Sequence, residues 1–433
     1  MVFRKFAIMI FLVLIIFSLV SCENGTESIS DSNSNEEEAL LFRITWTDYS
    51  GRGQAIGKIV DEYNENNGAD TDITMIGGEE DMASIESLLS ADTEMIYVLP
   101  YRYVQYFADK GYLYDLTSYF PDSEDLFYPE IWDLGTLDGS TYGIPWLGHS
   151  MCLLYNKTLL TQAGVDASSI TSLDAFVNAM VTVEAKTDAL GIGLVGADGN
   201  DISWMVNQFI YGFGGSLVNE DGTTVTINSE ESKAALEFYR STLGSHAQPT
   251  WLTDTGTEVM TAFLNQEVAF EIQSIWGVTD IMKNGSPFEV GIISMEDIGI
   301  KSEVGPMMLA LPKSISDEDK EQAVKFINYL ISLDAQEQIL NGEYSPEHDT
   351  YYPFRTPIRI DMADTRIIKD NPEYLLFIEG FDNPSIDVPV PKWQIIKDEY
   401  YGTGLHKVMT GEMDISEFLE LIETEGNKIL NAE

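Results

Sequence analysis

The sequence is poor in cysteine, histidine and basic residues. Its 433 residues include 2 Cys, 4 His and 24 Lys and Arg against 71 Asp and Glu, which gives a formal net charge of -47 at pH 7. Nucleic acid is excluded as a partner because phosphate binding requires basic patches. The acidic excess fits either a cationic ligand or a solvated acidic surface. Because the acidic residues are scattered along the whole chain, we favour the surface.

The two cysteines have different contexts. Cys22 ends "SLVSC" after a charged start and an uncharged run that is too short to span a bilayer, which is typical of a secretory signal peptide over residues 1–21. Leu19 to Cys22 matches the bacterial lipobox, so we expect Cys22 to carry a lipid anchor. Cys152 lies in the apolar run "MCLLY", where a thiol behaves as a small hydrophobic group. No disulfide is expected in the mature chain.

Signatures of catalysis and of bound cofactors are also scarce. The four histidines are widely spaced, with no HExxH motif, and neither a P-loop nor a dinucleotide-binding fingerprint is found. The segment "GHSMC" has Cys152 where a serine nucleophile elbow has glycine. No metal and no cofactor are therefore expected. A glycoside hydrolase stays open as an alternative, because only geometry identifies a working pair of carboxylates.

What the sequence does contain is enough apolar surface for two lobes. Hydrophobic residues make up 44% of the chain, and its length exceeds that of one ordinary core. Residues 22–38 are predicted to be a disordered tether. From Ala39 onwards short apolar runs alternate with amphipathic segments, which is typical of an α/β protein. Strands are predicted at 39–46, 71–78, 94–100, 141–146, 151–155, 268–274, 288–295 and 307–313.

Three helices have readable signals. Asn228 and Asp414 each precede a glutamate by three residues, which predicts capping boxes at two helix starts. In the segment 316–340, Ala323, Phe326, Ile327 and Leu330 form an apolar stripe that predicts a core-facing helix.

Tryptophan is placed unusually: Trp46, Trp146 and Trp276 lie at predicted strand ends or just after them, and Trp393 follows "VPVP" before an amphipathic helix. Ligands of open α/β sheets bind at the carboxyl ends of strands, and an indole face suits the C–H face of a sugar ring. For any one tryptophan a partly buried core position is an equally good interpretation, and we assign Trp132 to the core. Together they predict a site for a neutral, amphipathic ligand.

The segments "DGSTYGIPW" and "LLYNKTLLTQAG" resemble those of the extracellular solute-binding proteins of ABC importers, specifically the maltose-type class that serves sugars. Five more segments resemble the family in the expected order: "ADKGYLYDLT", "INSEESKAALEFY", "TAFLNQEVAFEIQSIWG", "AVKFINYLISLDAQEQIL" and "YPFRTPI". The resemblance implies an α/β fold of type II, maltose-binding-like, with two lobes and a ligand cleft between them. The N-terminal lobe would comprise 39–145 plus 307–355, and the C-terminal lobe 146–306 plus 356–433.

Positions matched to the family imply the ligand contacts. We expect stacking from the tryptophans, and polar contacts from turns that follow strands. These candidates are Trp46, Tyr49, Glu79, Tyr101, Arg102, Trp146, His149, Trp204, Trp276, Arg355 and Trp393. The strand before Tyr101 departs from the family pattern.

By resemblance, the protein is a monomeric, non-catalytic lipoprotein outside the cytoplasm. It would capture a carbohydrate and deliver it to an ABC permease with its ATPase. The alternatives are a lipid-anchored glycoside hydrolase and a binder of a cationic solute such as a polyamine.

Overall fold

Short buried strands alternate with helices along the chain, as the sequence predicts. The computed structural model describes residues 39–47, 49–66, 72–78 and 81–432, all of which lie in one compact unit, Glu38–Glu433. The strands of this part of the chain are β1 Leu40–Ile44, β2 Ile73–Gly77, β3 Ile96–Pro100, β4 Thr136–Leu137, β5 Ser140–Thr141, β6 Ile144–Gly148, β7 Cys152–Asn156, β8 Leu190–Gly193, β9 Val268–Gln273, β10 Val290–Ile293, β11 Ser302–Glu303, β12 Met307–Ala310, β13 Glu343–Ser345, β14 Thr350–Tyr352, β15 Thr356–Pro357 and β16 Pro384–Ser385.

Helices connect these strands and cover the sheets. The α-helices of the described residues are α1 Gly51–Asn66, α2 Met82–Ser90, α3 Tyr101–Asp109, α4 Pro129–Asp133, α5 Lys157–Ala163, α6 Leu173–Lys186, α7 Asn200–Gly212, α8 Glu230–Glu237, α9 Gly256–Leu264, α10 Ile275–Lys283, α11 Asp317–Leu330, α12 Leu333–Ile339, α13 Arg366–Asp370, α14 Leu375–Glu379, α15 Pro391–Ile396, α16 Gly402–Thr410 and α17 Ile415–Leu430. Two π-helical turns, Phe238–Thr242 and Lys397–Tyr401, continue α8 and α15. None of these helices is both long and apolar enough to span a membrane.

The first lobe is built on a six-stranded sheet in the order β15-β6-β12-β3-β1-β2. β1 pairs in parallel with β2 and β3, whereas β12 is antiparallel to β3 and β6. Phe42 of β1 lies at the centre of its core, with ring centroids 5.1 Å from Phe326 and 5.6 Å from Trp146. Phe326 belongs to the predicted apolar stripe of α11, and all four residues of that stripe are buried.

The second lobe is built on a four-stranded sheet in the order β10-β7-β9-β8. β7 is antiparallel to β9 and β10, and β8 is parallel to β9. Phe270 of β9 packs edge-on against Phe176 of α6, with ring centroids 5.1 Å apart. Cys152 is buried in β7 of this sheet, as predicted.

Two of the segments that carry the chain between the lobes are neighbours. One runs from β6 to β7 through His149, and the other leads from β11 to β12 through Gly305. They are hydrogen-bonded to each other, because Met151 N donates to Glu303 O at 3.0 Å and Gly305 N donates to His149 O at 2.9 Å. The first crossing thus lies between Gly148 and Cys152, a few residues after the predicted limit at 145.

One of the two predicted helix caps differs from the structure. The cap of α8 is Ser229, whose side chain accepts from Ser232 N, and Asn228 instead donates to Glu423 Oε2 at 2.7 Å. A serine one position later satisfies the same free N–H groups, so the spacing alone misplaced the cap. Asp414 does cap α17, accepting from Ser416 N.

Candidate ligand cleft

Two adjoining cavities lie between the lobes. Trp204 and Trp276 line both of them, and we call the combined space the aromatic cleft. The first cavity, of ≈ 240 Å³, is lined by Trp46, Pro100, Tyr101, Arg102, His149, Trp204, Trp276, Glu303, Gly305, Pro306, Met307 and Arg355. The second, of ≈ 300 Å³, is lined by Arg52, Met151, Asp201, Trp204, Met205, Gly256, Thr257, Met260, Gln273, Trp276 and Asp280.

The three tryptophans of the cleft come from both lobes. Trp46 follows β1 of the first sheet and packs against the core of that lobe. Trp276 lies in the first turn of α10, directly after β9, and packs against the core of the second lobe. Trp204 lies in α7, which also belongs to the second lobe. A ligand between these indoles would contact both lobes at once.

Arg355 lies between two of these rings. Its guanidinium carbon is 5.1 Å from the centroid of Trp46 and 4.6 Å from that of Trp276. Arg52 of α1 also approaches Trp276, at 5.8 Å. Cation–π attraction is favourable at such distances, so the guanidinium groups hold the indole planes in fixed orientations. Arg355 Nη1 also donates to Phe354 O at 3.2 Å.

His149 and Glu303 form a polar pair on the two crossing segments. His149 Nε2 lies 2.8 Å from Glu303 Oε2, and its ring is edge-on to Trp276 with centroids 5.2 Å apart. The ring packs directly over Gly305, where an added Cβ would lie 2.1 Å from His149 Cε1. A side chain at position 305 would therefore displace the His149 ring. The pair places one carboxylate and one imidazole where they can bond to hydroxyl groups.

Tyr101 and Arg102 begin α3, directly after β3. Tyr101 is buried, and its hydroxyl donates to Asp387 O at 3.2 Å. Burial raises the pKa of Tyr101 well above its ordinary value, with a further contribution from the charge of Asp387. The phenol therefore stays a neutral hydrogen-bond donor. Arg102 has its guanidinium carbon 4.7 Å from the centroid of the Tyr103 ring.

A buried ion pair, Lys397 with Asp387, lies next to Tyr101 of the cleft. Lys397 Nζ bonds to the carboxylate of Asp387, and Trp393 Nε1 donates to the same carboxylate at 3.1 Å. Burial alone would raise the pKa of Asp387, but the charge and hydrogen bond of Lys397, the charge of Arg102 and the Trp393 N–H together hold that pKa below its ordinary value. The carboxylate is thus ionised and fixed.

The structure brings most of the predicted site residues together. Seven of them line the first cavity, namely Trp46, Tyr101, Arg102, His149, Trp204, Trp276 and Arg355. Glu79 and Cys22 lie outside the described residues.

Three predicted positions are not at the cleft. Trp146 is 0% exposed and packs on Phe42 in the first core, because it lies within β6 and not at its end. Trp393 is 1% exposed, and its ring packs beside Tyr401. Tyr49 is 77% exposed and lines neither cavity of the cleft. Trp146 and Trp393 therefore pack in the cores of the two lobes. The position of a tryptophan relative to a predicted strand did not distinguish such a core residue from one that lines the cleft.

The sequence did not predict several residues that line the cleft. Four of them are methionines, namely Met151, Met205, Met260 and Met307, and four others are charged. Glu303 lies on the second crossing segment, and Arg52, Asp201 and Asp280 lie on helices that face the second cavity. Of these residues, only Glu303 could have been proposed from the sequence, because it lies four residues before the predicted strand at 307–313. Among the described residues no group of three histidine, cysteine or acidic side chains is arranged to hold a metal ion.

Comparisons with known proteins agree with this architecture. The maltose-bound MalE3 structure of T. maritima superposes with a TM-score of 0.74 at 20% identity, covering 90% of this chain and 100% of that one. UgpB from Mycobacterium tuberculosis, in complex with glycerophosphocholine, has a TM-score of 0.72 at 18% identity and covers 91% and 98%. At these identities the likeness shows the fold.

Sequence relatives point to the same group. A lactose-binding protein of Rhizobium radiobacter is 27% identical over 221 residues, which are 48% of this chain, so the match spans about half (50%) of that relative's length. The sequence pattern of the bacterial extracellular solute-binding protein family matches residues 58–374, which is most of the chain. With its two lobes and the cleft between them, this chain belongs to that family.

Proposed function

We propose that the protein binds a sugar or oligosaccharide in the aromatic cleft and delivers it to an ABC permease with its ATPase. The observation that carries the proposal is the convergence of Trp46, Trp204 and Trp276, from both lobes, on one cavity. Indole faces stack on the C–H faces of sugar rings, while His149 and Glu303 can bond to hydroxyls. The sugar-binding relatives support this choice.

The predicted lobe limits and the lipid anchor on Cys22 are parts of the same proposal. Ligand that contacts both lobes favours the closed form by its differential affinity for that form. A permease that recognises the closed form would then receive loaded protein. Anchoring at the outer face of a membrane keeps the protein near that permease.

A cationic solute is the second candidate, because Asp201 and Asp280 line the second cavity. Arg52 lines the same cavity, and Arg102 and Arg355 line the first, so the cleft contains as many guanidinium as carboxylate groups. That balance favours a neutral ligand over a polyamine. Glycoside hydrolysis remains the enzymatic alternative, and release of reducing ends from oligosaccharides would support it.

Tryptophan fluorescence and calorimetry against sugars and polyamines test the proposal. We expect sugars to change the fluorescence with micromolar affinity, about -8 kcal/mol, and with little dependence on salt. A response to polyamines alone that weakens steeply with salt would replace the sugar assignment with the cationic one.

A further inference from the structure

The charged residues of the aromatic cleft are not evenly divided between its two cavities. Asp201 and Asp280 line only the second cavity, whereas Arg102 and Arg355 line only the first. Glu303 is the one carboxylate among the lining residues of the first cavity. The cleft as a whole therefore combines a basic first cavity with a more acidic second one.

Glu303 also serves a partner within the protein. Its Oε2 lies 2.8 Å from His149 Nε2, and its side chain is only 5% exposed. One negative charge, shared with an imidazole, thus faces two guanidinium groups in the lining of the first cavity.

The buried residues beside the first cavity do not reverse this excess. Lys397 Nζ lies 4.8 Å from the centroid of the Trp204 ring and pairs with Asp387, on which the charge of Arg102 also acts. With this pair included, the first cavity and its surroundings have three cationic and two anionic side chains, namely Arg102, Arg355 and Lys397 with Glu303 and Asp387. The whole chain has 71 acidic and 24 basic residues, so the local balance has the opposite sign.

Arg355 lies where a stacked sugar ring would contact it. Its guanidinium carbon is 5.1 Å from the centroid of Trp46 and 4.6 Å from that of Trp276, and these indoles belong to opposite lobes. A guanidinium has five N–H donors in a planar fork that matches the oxygens of a carboxylate or a phosphate. A ring that stacks on either indole can therefore place an acidic substituent on Arg355.

A ligand without charge would leave the positive excess of the first cavity in place while it displaced water from it. Net charge is costly to remove from water unless an opposite charge is brought to it, and hydrogen bonds between charged groups are stronger than neutral ones. The acidic surface of the chain repels an anion only at a distance, because salt screens exposed charges beyond about 10 Å at 0.1 M. The first cavity therefore favours an acidic group.

We propose that the ligand is a sugar with an anionic substituent, and that this group binds Arg102 and Arg355 in the first cavity. The inference rests on the proposed function. The carboxylate of a uronic acid and the phosphate of a sugar ester share the required chemistry. Trp46 and Trp276 would hold the C–H face of the same ring.

Calorimetry with matched ligands tests the charge of the substituent. Galacturonate, glucuronate and mannuronate are each compared with the neutral hexose and with the methyl ester, which keeps the carbonyl group and removes the charge. Glucose 6-phosphate and galactose 6-phosphate test the phosphate against the same hexoses. The variants are Arg102→Gln and Arg355→Gln. The matched control is Arg366→Gln, whose side chain is 91% exposed and lines neither cavity of the cleft.

The readout is the ratio of affinities for the acidic and the neutral ligand, because losing an arginine also changes the packing of the indoles. We expect the wild type and Arg366→Gln to bind the acidic member of at least one set about tenfold or more tightly than its uncharged counterparts. Arg102→Gln and Arg355→Gln should each lose most of that ratio. A preference for uronates or for phosphates identifies which group the ligand carries.

Tighter binding of neutral sugars by the wild type, in these sets or in the fluorescence screen, would overturn the anionic ligand and leave sugar binding standing. A ratio that both variants keep would also overturn it. If an arginine variant fails to fold in thermal unfolding, the wild-type affinities for uronate and methyl ester decide the question. If the wild type binds no sugar in either experiment, the proposed function itself fails.

Discussion

The ammonium of Lys397 lies 4.8 Å from the centroid of the Trp204 ring while it pairs with the buried carboxylate of Asp387. Trp204 thus has a cation beside its ring and also lines the aromatic cleft. Lys397 belongs to a π-helical turn, a local irregularity that is frequent at functional sites. The pair therefore connects the packing of the second lobe to the orientation of an indole that lines the aromatic cleft.

Removing the Lys397 charge should destabilise the protein strongly. Lys397→Met leaves the Asp387 carboxylate buried without its partner, which costs about 3–5 kcal/mol in comparable pairs. Denaturant unfolding measures the loss. The double variant Lys397→Met with Asp387→Leu should recover most of the stability, because no buried charge remains. Equal instability of the single and double variants would contradict this assignment.

The pH dependence of the same pair has a definite sign. The pKa of Asp387 is held below its ordinary value of 3.8, so its contribution to stability is present above that pH and is lost as the pH falls below it. Acid unfolding of the wild type should therefore be steeper below about pH 4 than that of the double variant. Identical acid transitions of the wild type and the double variant would show that Asp387 does not determine stability in this pH range.

Substituting Trp276 should weaken binding, whereas substituting Trp393 should lower stability. Trp276→Ala removes a wall of both cavities of the cleft and should weaken sugar binding by about 10- to 100-fold, or 1–3 kcal/mol, with little change in unfolding temperature. Trp393→Ala creates a cavity in the second core and removes a donor to Asp387, so it should cost about 3–5 kcal/mol of stability.

Tyr49→Ala is the control for both tryptophan variants, because Tyr49 is exposed and lies outside the cleft. It should match the wild type in calorimetry and in thermal unfolding. Wild-type sugar affinity in Trp276→Ala would refute the stacking role of this ring.

The sequence predicted the strands well because buried strands are continuous apolar runs, which composition alone reveals. In the two large sheets it missed β15 and β8. The four residues of β8, Leu190–Gly193, include two glycines and give little apolar signal. Met180 of α6 packs closely against Gly191, and Val259 of α9 packs closely against Gly193, so neither position has room for a side chain. A pattern of side-chain types does not contain that information.

The site was predicted less completely, for a related reason. Trp46 and Trp276 follow their strands and face the cleft, but Trp146 lies inside β6 and turns into the core. β6 continues for two residues beyond Trp146, and this small difference in where the strand ends decides whether the ring packs in the core or faces the cleft. Glu303 reaches His149 only because two crossing segments, 154 residues apart in sequence, lie side by side.

A cross-lobe ion pair should control how long ligand stays bound. Lys283 at the end of α10 pairs with Glu343 of β13, whose hairpin packs against α1, and Thr279 Oγ1 donates to Pro353 O at 2.6 Å beside it. Trp276 lies on the same helix, so the pair holds that ring against the first lobe. Lys283→Met should raise the dissociation rate of sugar about two- to fivefold and leave the association rate unchanged.

The matched control is Lys157→Met, which removes a comparable ion pair with Glu289 within the second lobe. It should leave both rate constants at wild-type values. A double-mutant cycle of Lys283→Met with Glu343→Gln isolates the pair, and additive effects on the dissociation rate would show that the two residues act independently.

Glu271 should make stability fall as the pH rises. It lies in β9, is 0% exposed, and neither carboxylate oxygen has a hydrogen-bond partner among the described residues. Burial, with a contribution from the charge of Asp280, raises the pKa of Glu271 to about 8. The folded state therefore keeps a proton that the unfolded chain releases near the ordinary value of 4.5, so its contribution is complete below that pH and is lost by about pH 8.

Unfolding free energies measured between pH 5 and pH 8 check this behaviour. The wild type should lose up to about 1.4 kcal/mol per pH unit relative to Glu271→Gln, whose neutral amide needs no proton. Glu289→Gln, at an exposed carboxylate, is the control and should follow the wild type. If Glu271→Gln and the wild type lose stability in parallel across this range, Glu271 is ionised in the folded protein and has a partner that neutralises its charge.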